Sequence, residues 1–123
     1  EMLVSTNKTR LKCNLSSLRI KLDAEAIPSL KGALTLLEQG FASTLAPANR
    51  EAWNLLETDP IADLPAPVEL NLGDINPGSK YHQSIKELII DPQTCGPLLV
   101  ACSSETALSL NQRGPWLKIG EVI

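Results

Sequence analysis

Apolar and charged residues alternate from Leu18 through Asp23, a period of two that predicts a half-buried strand. Beyond it, Leu30, Ala33, Leu34 and Leu37 recur at helical spacing. Pro28 suits the first turn of that helix, where a missing amide is harmless, and Gly40 is placed to end it. Gly32, inside the same pattern, costs about 1 kcal/mol relative to alanine, and close packing against the sheet is its expected reason. Residues 40–49 form a loop with several hydroxyls. Asn49 is placed to cap a second helix over residues 50–57, with Trp53 and Leu56 facing inward. Pro60, Pro65, Pro67 and Pro77, with Gly73 and Gly78, make residues 58–79 an extended connection holding one short strand at 68–72. A short helix at 82–87 leads into an apolar run at 88–90. A polar hinge at 91–97 separates it from a second run at 98–102, and each run suits a buried strand. Ser103 or Ser104 caps a helix reaching Gln112, and Gly114 and Pro115 stop it. Residues 116–119 close the chain as a strand with Leu117 and Ile119 on one face. The patternless residues 6–17 read as loop.

These elements sum to an α+β fold: a mixed sheet of about four strands with packed helices. The 123 residues suffice for one domain and one core. The proline-rich connection is no domain boundary, because neither side is long enough for a separate core. No internal repeat interrupts this reading.

The hinge, Asp91-Pro92-Gln93-Thr94-Cys95-Gly96-Pro97, cannot stay regular. Two prolines lack an amide donor and fix φ, and Gly96 permits conformations that other residues avoid. Such a stiff turn is either a structural corner or a binding loop. Asp91 either caps its own turn or orients a ligand. Gln93 and Thr94 offer an amide and a hydroxyl to a phosphate or a neighbouring domain. Thr94 and Gly96 can present backbone amides to an anion. Ser43, Thr44 and Asn49 form a second polar cluster, serving either as caps or as part of a cleft. No motif ties Cys95 to His82, the single histidine, as a nucleophile and base.

Composition narrows the function classes. A net charge of −3 gives no pull towards nucleic acid or an anionic membrane. Phe41, Trp53, Tyr81 and Trp116 are the aromatic residues, too few and too scattered for base stacking. No apolar run approaches the ~18 residues of a membrane span. Cys13, Cys95 and Cys102 suit neither a zinc site nor a disulfide framework, so a reduced, cytoplasmic setting is expected. Acidic residues are scattered, with no tight metal-binding grouping, and there is no Walker-type loop.

The run DPQTCGPLLVA, residues 91–101, closely resembles the DPQTSGGLL segment of selenophosphate synthetase (selenide, water dikinase), a family within the aminoimidazole-ribonucleotide-synthetase-like group. Other pieces fall in that family's order: residues 27–33 (IPSLKGA), residues 40–49 with GFASTL and PAN, and residues 119–122 (IGEV). The resemblance implies the layered mixed-sheet fold of the family's C-terminal domain, lying in a longer ATP-using enzyme. It implies a parent reaction in which ATP, selenide and water give selenophosphate, AMP and phosphate with Mg²⁺. The reactive Cys or selenocysteine, its Lys and the magnesium-binding aspartates belong to an N-terminal domain outside this sequence. This chain would then hold no catalytic residue, metal or cofactor of its own and be inactive alone. Asp91, Gln93, Thr94 and Gly96 would line the phosphate cleft, with Ser43, Thr44 and Asn49 as secondary candidates. The partners implied are that N-terminal domain and, for the parent enzyme, a second copy. Cys95 and Pro97 depart from the family's Ser and second Gly. Cysteine is the weaker donor and proline removes an amide. A non-catalytic interaction or regulatory domain on the same fold is therefore the alternative.

Overall fold

The computed structural model describes residues 12–13, 18–55, 67–92 and 98–123. Among them lie three strands and four α-helices, and Lys12 and Cys13 are helical where residues 6–17 read as loop. The order is β1 (Ile20–Asp23), α1 (Ala33–Glu38), α2 (Ala46–Asn49), β2 (Val68–Asn71), α3 (Lys80–Ile90), α4 (Ser104–Arg113) and β3 (Gly120–Val122). A 3-10 turn follows β1 at Ala24–Ala26, and α2 runs on as a 3-10 stretch, Arg50–Leu55. The sheet order is β2-β1-β3. β1 pairs with β2 in parallel, Ile20 opposite Val68, and with β3 antiparallel, Ile20 opposite Val122. The fold is thus α+β with a mixed sheet, three-stranded among the described residues where about four strands were expected.

The alternation in β1 explains its central place. Leu22 is buried in the core with Val68, while Lys21 stands opposite Glu69 on the other face. Arg19 reaches the same carboxylate at 2.8 Å. Such exposed pairs contribute about 0–1 kcal/mol, so burial of Leu22 and Val68 holds the strand pair together. The parallel pairing needs a crossover, supplied by the chain that carries α1 and α2. A second cluster of Ala24, Ile75 and Ile85 joins the first through Leu70 and Ile89, which touch both.

Gly120 marks where β3 meets β1. A Cβ there would fall on the Lys21 carbonyl oxygen and press Leu22, so only glycine permits this closeness. The closing strand accordingly begins at Gly120 rather than running over residues 116–119. The ladder is joined just before it, where the Ile119 carbonyl accepts the Asp23 amide at 2.8 Å.

Two apolar runs depart from expectation. Residues 88–90 are not a strand; they form the last turn of α3. Ser79 starts this helix, its side chain accepting the His82 amide at 3.1 Å. Ile85 and Ile89, four apart, then share one face in the second cluster. Pro92 ends the helix by barring Asp91 from helical geometry, and Asp91 sits at φ −61, ψ 129. Residues 98–102 belong to no strand either, and Leu98, Leu99 and Val100 are 80%, 53% and 48% exposed.

The first helix is shorter than its apolar spacing predicts. It begins at Ala33, and Leu30 is exposed. Gly32 takes the position before it at φ 86, with open space where a Cβ would be. Its role is conformational, not the close packing expected. The end follows the Schellman pattern: Gly40, at φ 88, donates to the Leu37 carbonyl and Phe41 to that of Leu36. α4 matches expectation, with Ser103 capping at the Thr106 amide.

Candidate functional site

The chemistry-bearing side chains converge where the segment 49–53 crosses the last turns of α3. α2 starts in a turn shaped by Ser43, whose Oγ accepts the Leu45 amide at 3.2 Å and whose carbonyl accepts the Ala46 amide at 2.9 Å. Pro47 suits the first helical turn, where no amide is needed. The helix then tightens into the 3-10 stretch, so Asn49 does not begin a helix as its spacing suggests. It lies inside one continuous helical run.

Asn49 is used instead on a distant partner. Its Nδ2 donates to the Ile90 carbonyl at 2.8 Å. That carbonyl lies in the final turn of α3, where helices run out of internal donors. The following Pro92 has no N–H to offer it. Asn49 therefore acts as a remote cap, fixing the point where the chain leaves for Asp91.

Four further contacts secure the same corner. Arg50 Nε donates to Glu87 Oε1 at 2.8 Å. Trp53 Nε1 donates to the Lys86 carbonyl at 3.2 Å. The Trp53 ring receives the Lys86 ammonium 4.5 Å from its centre and the Arg50 guanidinium at 5.6 Å. Each cation–π contact contributes about 0.5–1 kcal/mol at a partly exposed site. Lys86 is buried, its charge held over the indole face. Glu87 Oε2 is buried and accepts no hydrogen bond, so Arg50 engages this carboxylate through one oxygen only.

Of the candidates read from the sequence, Asn49 and Asp91 meet here. Asp91 is half-buried, its amide donating to the Leu88 carbonyl at 3.3 Å. Ser43 and Thr44 lie at the other end of α2, Ser43 as a turn-forming residue and Thr44 exposed. Gln93, Thr94 and Gly96, with Cys95 and Pro97, lie outside the described residues. Arg50, Lys86 and Glu87 were not singled out by pattern, and Trp53 only as an inward-facing residue, which its packing against the Leu22 and Val68 cluster bears out. The available hint was their placement: two charges in the apolar half of α3, and an Arg and a Trp just after Asn49.

His82 sits at the opposite end of α3, roughly 12 Å along the axis from Ile90 at the usual helical rise. Its Nδ1 accepts the Gly78 amide at 2.9 Å, which places the proton of the neutral ring on Nε2. Among the described residues no group of His, Cys, Asp or Glu is arranged to hold a metal ion. No helix among them is long and apolar enough to cross a membrane. No family model, curated protein or solved structure matches this chain.

Proposed function

We propose that this chain is the C-terminal domain of a selenophosphate synthetase-like enzyme and forms one wall of its nucleotide and phosphate cleft. In that reading the parent enzyme, a cytoplasmic homodimer, converts ATP, selenide and water to selenophosphate, AMP and phosphate with Mg²⁺. The N-terminal domain brings the reactive Cys or selenocysteine, the Lys and the metal-binding aspartates. The present chain brings the scaffold, Asp91, and the loop carrying Gln93, Thr94 and Gly96.

The observation that supports this reading is the bond from Asn49 to the Ile90 carbonyl. It ties one stretch that carries the resemblance, residues 40–49, to Ile90, the residue directly before the other, residues 91–101. A binding wall needs its wording assembled in space, and a remote cap on the residue before Asp91 is a physical reason for both to occur in one chain.

The test is selenide-dependent ATP turnover. The 123-residue chain alone should release no AMP. Placed behind the N-terminal half of a selenophosphate synthetase, it should yield AMP and selenophosphate. Robust turnover by the chain alone would overturn the division of roles.

A second reading is an interaction or regulatory domain that retains the fold without the chemistry. It is favoured by Cys95 and Pro97 and by the exposed side chains of Leu98, Leu99 and Val100. In the same fusion, Cys95→Ser with Pro97→Gly separates the two readings. Activity that appears only with both changes supports the second.

A further inference from the structure

We propose that Arg50 is an oxyanion-binding residue whose outer edge, with both terminal NH₂ groups, grips a phosphate group. The inference rests on the phosphate-cleft reading above and adds to it a residue from outside the hinge.

A guanidinium carries five N–H donors in a rigid fork. In Arg50 the Nε donor is committed to Glu87 Oε1 at 2.8 Å. Neither terminal NH₂ group forms a hydrogen bond among the described residues. The side chain as a whole is 41% exposed. A guanidinium that merely paired with Glu87 would engage both carboxylate oxygens through parallel bonds. Here the second oxygen, Oε2, is buried without a partner. The pairing is therefore one-point, through Nε alone, and leaves both terminal NH₂ groups unspent on Glu87.

Its position is also fixed beforehand. Glu87 holds one end, the Trp53 indole lies 5.6 Å from the guanidinium carbon, and Asn49 anchors the neighbouring backbone to Ile90. Ordering a long side chain is a main cost of binding, and here it is met before the ligand arrives. Arg19, by contrast, spends a terminal nitrogen on Glu69. Glu87 opposes an incoming anion, while Lys86 returns a positive charge to the same indole. Binding by this wall alone is therefore weak, and a facing module supplies the rest of the grip.

The test is an NMR titration of the isotopically labelled chain with inorganic phosphate, pyrophosphate and ATP in turn, against chloride as control. Arg50 Nε–H and Trp53 Nε1–H should shift saturably with the phosphates and not with chloride. Arg50→Lys keeps the charge but loses the fork, and should weaken binding about tenfold. Glu87→Gln keeps an acceptor for Nε while removing the opposing charge, and should tighten binding, an effect no purely structural pair would give. Tighter binding of ATP than of pyrophosphate points to a nucleotide, and equal binding of all three to free phosphate. Saturable shifts at Asp91 with Arg50 unmoved, and both variants matching the parent chain, would overturn the role of Arg50 and leave the cleft reading standing. No saturable shift at either place would overturn both.

Discussion

A single hydrogen bond decides how α3 ends. Without the Asn49 amide, the Ile90 carbonyl is left in a partly buried corner with no donor. Asn49→Ala should therefore destabilise the chain by about 1–3 kcal/mol in urea titrations. Asn49→Asp should cost more, because a carboxylate cannot donate and faces a carbonyl oxygen. Equal stability of all three would show that the bond contributes nothing. Gly120 is the second residue on which much depends. Gly120→Ala drives a methyl into the Lys21 carbonyl, and an overpacking cost of about 1–3 kcal/mol is expected from the same titration. At His82 the proton should appear on Nε2 in long-range ¹H–¹⁵N spectra, and an Nδ1–H signal would contradict the Gly78 bond.

At the scale of elements, the three-residue run Leu88-Ile89-Ile90 satisfies strand and helix patterns alike. What resolves it lies outside the run: the Ser79 cap upstream and Pro92 downstream. Slow amide exchange should extend through Ile90, as a helix anchored at both ends requires. β1, β2 and α4 were legible because their signals are local: alternation in the first, a short Val-Glu-Leu-Asn-Leu stretch bracketed by Pro67 and Gly73 in the second, and a Ser cap with a Gly-Pro stop in the third. The closing strand was read too early because a glycine looks like an end, whereas Gly120 is a point of close approach. The site was legible only by half. Asn49 and Asp91 stand out as polar residues in rigid surroundings. Nothing near Arg50 or Trp53 in sequence announces Glu87 and Lys86, since those pairings exist only once α3 crosses that segment. Residues 98–102 carry the composition of a strand without its burial. Changing Leu98, Leu99 and Val100 together to threonine should shift stability by less than about 0.5 kcal/mol. A loss above about 2 kcal/mol would mean those side chains are covered in solution.

For the molecule as a whole, two hydrophobic clusters sharing Leu70 and Ile89 make one cooperative unit of the sheet and α3. Unfolding followed by Trp fluorescence and by far-ultraviolet circular dichroism should therefore coincide. Trp53 reports the corner and the backbone signal reports the helices, so separated transitions would mean the corner opens independently. The most distant pairing in the sheet has a consequence for how the molecule is made. Ile20 finds Val122 from the other side of the whole crossover, α3 and α4. During synthesis the middle strand must wait, one flank bare, until almost everything after it has left the ribosome. A nascent chain with β3 still inside the ribosome should be held by chaperones or cleared by proteases, whereas one in which Gly120–Val122 has fully emerged escapes both.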